Sequence, residues 1–321
     1  AGWDSEVLLF QINSICERAK IDKVDVYVYN CFGGWDDNSS FNKGEYNIYN
    51  LPDIAQFDGC IITSNLISNK KVRDRLYQKL IASKKPCVSV EHDLPDMDYI
   101  GSDNYTGMYG MIEHLIKDHN CRELCYVSGP MDNYESRKRY ESFVNIHKEY
   151  SLPLKKENVY IGNFEFEDGL KAADFFMDNR TDIPDAFVCA DDEMALGVIV
   201  QLKKKGICVP EDTKVVGFDN YLPGSQFSPR LTTVDRAKTE LGYHCCDHLL
   251  KMMNGIPVAS KELLPTQLVL SRSCGCDNYA EQNNDVFRSL HLEEAEKQKS
   301  YHQFMRLMEE DLISAKDINQ Y

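Results

Sequence analysis

Short apolar runs alternate with longer stretches of helical spacing along most of this chain. VDVYVYN (24–30), FDGCIITS (57–64), KPCVSVE (85–91), ELCYVSGP (123–130), NVYIGN (158–163), AFVCADD (186–192) and TKVVGFDN (213–220) predict strands. The segments 72–83, 105–119, 136–150, 168–179 and 193–206 place apolar residues three and four apart and predict amphipathic helices. Strand and helix in turn over this length predict an α/β fold with parallel sheets, enough for two of them. Polar groups collect just after strand ends, at Ser128-Gly129-Pro130, Asp191-Asp192 and Asp219-Asn220. In open α/β sheets ligands bind outside the carboxyl ends of strands, so these groups are expected to meet in one cleft.

The pattern changes near Asp277. Beyond it Tyr301, Met305, Met308, Leu312 and Ala315 recur at spacings of four and three, a heptad-like stripe. A short coiled coil and a helix packed on its own domain fit that stripe equally.

Composition narrows the function. With 321 residues, 43% of them apolar, the chain can bury the cores of two domains. The net charge of −15 repels phosphate backbones and anionic lipid, so no nucleic-acid or membrane contact is expected of this segment. No apolar run is long enough to span a bilayer. The 12 cysteines do not form a secreted-type framework, and with no export signal they point to the cytoplasm. Cys121-x3-Cys125, Cys245-Cys246 and Cys274-x-Cys276 lack paired Cys-x2-Cys or His/Cys arms, so no metal site is expected. His244 and His248 share a helix face at i, i+4 and read as packing. CFGGWDD (31–37) lacks the spacing of a phosphate loop. No cofactor and no catalytic constellation is indicated.

Longer strings carry a resemblance. DN-x2-G at Asp103–Gly107, EHLI at 113–116, SGPMDNYESRKR (128–139), ADDEMALGVIVQLKKKGICVPEDTKVVGFDN (190–220), LTTV (231–234) and SRSCGC (271–276) resemble, in order, the effector-binding core of lactose-repressor-type regulators. That core shares the type I periplasmic-binding-protein fold. The resemblance implies two Rossmann-like lobes joined by three crossovers, lobe one at 1–120 and 235–260 and lobe two at 121–234 and 261–276. Residues 277–321 would then be a helical linker to an output domain. It implies a small-molecule effector, sugar or similar, held between the lobes and signalled by hinge closure, in a homodimer and without catalysis. The helix-turn-helix of such regulators is not in this sequence. A covalently linked C-terminal output domain is expected instead, such as a GGDEF diguanylate cyclase. A solute-binding protein of a sugar ABC transporter is the alternative.

The resemblance also implies site residues. Arg139 and Asp219 would hydrogen-bond the effector, Asp191 would face it, and Phe164 would stack on its ring. Trp3, Asp4, Thr63, Ser64, Asn65 and Arg236 are the remaining candidate contacts, while Asp192 is expected to cap the helix that follows it.

Overall fold

The computed structural model describes residues 6–32, 40–67, 69–178 and 180–276. Trp3, Asp4 and the heptad-like stripe lie outside the described residues. In chain order the elements are α1 (Glu6–Ile21), α2 (Ser40–Glu45), β1 (Cys60–Ile62), α3 (Lys70–Ser83), β2 (Cys87–Val90), β3 (Asp98–Ser102), α4 (Asn104–Asp118), β4 (Leu124–Ser128) and α5 (Tyr134–Glu149). There follow β5 (Val159–Ile161), α6 (Phe166–Asp178), β6 (Ala186–Cys189), α7 (Asp192–Lys204), β7 (Lys214–Val216), α8 (Leu222–Gln226), β8 (Thr233–Asp235), α9 (Lys238–Met253), β9 (Lys261–Leu264) and β10 (Gln267–Val269).

Two parallel sheets result, one ordered β1-β2-β3-β9 and the other β5-β4-β6-β7. The first is the frame of lobe one and the second that of lobe two. Between them β8 and β10 form an antiparallel ribbon. The chain passes between lobes three times, at β3–α4, β8–α9 and β9–β10. The strand-to-helix turns are closed by short polar side chains: Asn69, Asp103, Asn133 and Asp191 each accept a backbone N–H from the first turn of the helix they precede.

The expected lobe boundaries need two corrections. Met108, Met111, Ile112, Leu115 and Ile116 of α4 pack into the lobe-two core with Phe143, Phe176 and Phe187. The first crossover therefore falls at Asp103 rather than near 120, because the apolar stripe of α4 matches that core. Residues 261–264 pair with β3, so they close the lobe-one sheet instead of belonging to lobe two.

A third correction concerns 24–30. This segment has no strand partner among the described residues, and Val26 and Val28 remain 38 and 52% exposed. Alternation alone gives a face but no ladder, and a strand needs a neighbour to accept its backbone hydrogen bonds. Tyr27 and Tyr29 meet Phe57 edge-on instead.

Glycine sets the closest helix contact in lobe two. A Cβ on Gly169 of α6 would collide with the Met194 carbonyl of α7, and one on Gly197 of α7 with the Phe166 carbonyl of α6. The two backbones approach as closely as they do because neither residue has a side chain.

Candidate functional site

The carboxyl ends of β1, β2, β4, β6 and β7 face one region between the lobes, and the polar residues that follow them converge there. Five residues around it, Glu91, Phe164, Asp219, Asn220 and Ala237, hold positive φ without being glycine. Backbone of this kind costs free energy unless its surroundings over-determine it, and it gathers at binding sites.

At the centre is a buried ion network. Arg139 donates through Nε to Asn104 Oδ1 at 2.8 Å, through Nη1 to the Ala190 carbonyl at 2.5 Å, and through Nη2 to Asp219 Oδ1 at 3.2 Å and Glu135 Oε1 at 3.5 Å. Its guanidinium lies 3.8 Å from the centroid of the Phe218 ring, a stacked cation–π contact. Arg236, in the second crossover, donates through Nη1 to Asp219 Oδ1 at 3.0 Å and through Nη2 to Glu91 Oε1 at 2.7 Å and to Glu135 Oε1. From lobe one Asn65 donates to Glu135 Oε2 at 2.6 Å, and Ser102 donates to Glu91 Oε1 at 2.6 Å. Two guanidinium groups, one of them from a crossover, thus face three carboxylates contributed by both lobes.

The expected residues divide. Arg139, Arg236, Asp219 and Asn65 come together. Ser64 is buried and sits 2.7 Å from His92 Nδ1, on the lobe-one side. Thr63 is half-buried beside it. Phe164 packs its ring on Gly129 at the end of β4, where a Cβ would overlap the ring. Arg137 is exposed and donates to the Met131 carbonyl at 3.1 Å, away from the network.

The cap expected at Asp192 falls on Asp191, and Asp192 serves a structural contact instead. Asp191 is the N-cap of α7, accepting from Met194 N at 2.9 Å. Asp192, expected as the cap, instead accepts from Thr233 Oγ1 at 2.6 Å and Tyr221 N at 2.7 Å, and so ties α7 to the ribbon and to the loop after β7. The first acid after the strand is still in extended backbone, which is the conformation a cap requires. Sequence reasoning missed Glu91, His92, Asn104 and Glu135. The string VSVEHD carried a signal for the first two, an acid directly after a strand, whereas nothing local marks Glu135 on a helix.

His244 and His248 do not converge; they meet different carboxylates, Glu262 at 3.0 Å and Asp98 at 2.8 Å.

Burial governs the protonation of the site. It raises the Glu135 carboxyl above its ordinary range, with Arg236 and Arg139 opposing that shift and Glu91 adding to it. Burial likewise pushes Asp191 and Asp192 well up. For His92, burial first and then Arg73 and Arg137 depress the imidazole to about 4. Its folded pKa lies below the unfolded value of about 6.5. The fold is therefore unaffected by this group above about 6.5 and loses stability as pH falls from there to about 4. An NMR titration should place the ring's midpoint at about 4, and His92→Gln should remove that part of the acid loss; a midpoint at the ordinary histidine value would contradict the burial argument.

A family described as "Periplasmic binding protein-like domain" matches residues 112–274. The HTH-type transcriptional repressor PurR of Glaesserella parasuis serovar 5 is 34% identical over 145 residues, 45% of this chain and 42% of that protein. The same-named repressor of Haemophilus influenzae is 29% identical over 180 residues, 55% of this chain and 53% of that protein. The chain thus spans about half the length of the curated relatives it matches. Among solved structures, a LacI transcriptional regulator from Bacillus cereus subsp. cytotoxis superposes with a TM-score of 0.73 at 24% identity, covering 86% of this chain and 94% of that one. The lac repressor dimer bound to operator and the anti-inducer ONPF gives 0.71 at 20% identity, covering 84% and 90%. The CelR–cellobiose complex gives 0.70 at 21% identity, covering 83% and 79%. At these identities the superpositions show a shared fold and nothing more.

Proposed function

Since the chain belongs to the periplasmic binding protein-like domain family, we propose that it is a small-molecule sensing domain of a LacI-type regulator, and that its effector binds between the lobes at the Arg139–Arg236–Asp219 network. The observation that carries this reading is a pair of unmatched groups in the network. Among the described residues Arg236 Nε and Asn65 Oδ1 are buried with no hydrogen-bond partner. A buried donor and a buried acceptor without partners are costly, and a solute carrying both hydroxyl or amide donors and acceptors would satisfy them. A polar metabolite of sugar size fits that demand, and Phe164 offers an apolar face for its ring.

Binding by such a solute would exchange interlobe pairs such as Asn65–Glu135 for contacts to itself. Its differential affinity for open and closed lobes would set the size of the signal. The domain acts by this shift and not by turnover. It works as a homodimer, and the signal passes to an output module carried on the same polypeptide beyond the linker, of the diguanylate cyclase kind.

The test is a thermal-shift screen of hexoses, pentoses, nucleosides, purines and amino-acid derivatives on the wild type and on Asp219→Asn. The Asp219 side chain is 20% exposed, against 2% for Arg139, so it is the safer variant. At least one solute should raise the melting temperature of the wild type and fail to raise that of Asp219→Asn. Equal shifts in both would remove the site from the network; no shift from any solute would remove the sensor reading.

A further inference from the structure

The site lies away from the effector cleft, where α4 ends. His114 lies one turn before the end of α4 and His119 is its C-cap residue. Cys274 closes the short 3-10 turn Arg272–Cys274, and Cys276 follows Gly275. The two pairs are about 160 residues apart in the chain, yet His114, His119, Cys274 and Cys276 each offer a ligand atom, and the four atoms all lie within 4.8 Å of one another.

Four of their six separations lie near those around a tetrahedral ion, and the other two are no longer than 4.8 Å. For zinc bonds of about 2.3 Å to sulfur and 2.0–2.1 Å to nitrogen, the edges of the tetrahedron run from about 3.3 to 3.8 Å. Here the two imidazole Nε2 atoms are 3.1 Å apart. Cys276 Sγ is 3.4 Å from both, and Cys274 Sγ is 3.8 Å from His114 Nε2. The rings stand nearly perpendicular, at 85°, as two ligands of one centre can.

The scaffold is fixed before any ion arrives. His114 Nδ1 lies 2.6 Å from Asp118 Oδ2. With the proton held there, Nε2 presents its lone pair, which is how metal-bound histidines are oriented. The cysteine turn is stitched to lobe two. Ser273 donates through N to the Arg230 carbonyl and through Oγ to the Val215 carbonyl, at 2.9 and 2.6 Å, and Ser271 exchanges two hydrogen bonds with Thr232 Oγ1, at 2.8 and 2.9 Å. Gly275 has φ of +95°, a left-handed step open to glycine, and it sits between the two cysteines.

We propose that His114, His119, Cys274 and Cys276 form a Cys2His2 site for a single zinc-type cation. Two thiolates and two imidazoles in tetrahedral array favour zinc over calcium or magnesium, which take oxygen ligands. No coordination position is left over, so the ion is structural. It would cross-link the end of α4 to the last described turn of the domain, closing a very long loop of chain. The sequence expectation of no metal site arose because the spacings His-x4-His and Cys-x-Cys are each uninformative alone; only the fold joins them.

The test uses the whole chain, stripped with chelator under reducing conditions and titrated with Zn²⁺ or Co²⁺ alone. One equivalent of cobalt should bind and give intense tetrahedral ligand-field bands with a thiolate-to-metal charge-transfer band. Cys276→Ser should lower that band by about half, since one of two sulfur ligands is gone. His119→Ala should lose tight zinc binding and with it the zinc-induced rise in melting temperature. Asp118→Asn, which acts only through His114, should keep the spectrum and weaken zinc about 10–100-fold. His244→Ala should change nothing. A wild type that takes up no zinc, or a cobalt spectrum without the charge-transfer band, overturns the proposal with no variant needed. So does zinc affinity undiminished in both His119→Ala and Cys276→Ser.

Discussion

Replacing Arg236 with methionine should destabilise the protein by about 3–5 kcal/mol, the usual cost of removing one partner from a buried charge cluster. Arg236 touches Glu91, Glu135 and Asp219, so its loss leaves Glu135 and Asp219 to Arg139 and strips Glu91 of its guanidinium partner. Methionine fills much of the same volume, and the loss reports charge more than a cavity. Urea unfolding of the two proteins side by side measures it.

Two features separate this cause from simple loss of packing. Glu135→Gln added to Arg236→Met should recover part of the deficit, because it removes one of the stranded charges. The deficit should also shrink in acid. Burial already holds the Glu135 pKa above its ordinary value, and Arg236 is the largest influence pulling it down. Without Arg236 the folded pKa rises further. A carboxyl whose folded pKa exceeds its unfolded one gains stability for the fold as pH falls through the folded value, and the gain is complete below about 4.3. A deficit that is constant in pH and indifferent to Glu135→Gln would show that the guanidinium contributes by packing.

The second large effect concerns Gly197. Valine there should cost ~3 kcal/mol, at the upper end of overpacking penalties. The atoms in its way are backbone, the Phe166 carbonyl and Gly169 Cα of α6, and they have no rotamer to retreat into. Gly206, which ends the turn after α7 with nothing near its Cβ position but φ of +79°, is the contrast: a side chain there meets backbone strain without a clash. Thermal unfolding should rank Gly197→Val well below Gly206→Ala. Comparable losses would mean that α6 and α7 can slide apart.

The α6–α7 contact also reaches the ribbon between the lobes. α7 begins at Asp191 and Asp192, and Asp192 ties it to Thr233 of the ribbon between lobes. A shift of α7 away from α6 would be felt at the crossover that carries Arg236.

Local sequence carried β1, β2, β4 to β7 and α3 to α7, though not β3, β8 to β10, α1 or α9. Period-two and period-3.6 apolar spacing are properties of a few adjacent residues, and caps such as Asp103 and Asn133 are satisfied within three residues. Placing Arg139, Asp219, Asn65 and Arg236 at one cleft needed the family resemblance as well as the position of strand ends. Tertiary structure alone decided the rest. It left 24–30 without a ladder and moved α4 into lobe two. It brought Glu135 from the middle of the chain to Arg236, 101 residues away, and the α4 histidines to the final cysteines. Each of these depends on which surfaces and charges become neighbours after folding, and a charge or a thiol carries no local signature of the partner it will meet.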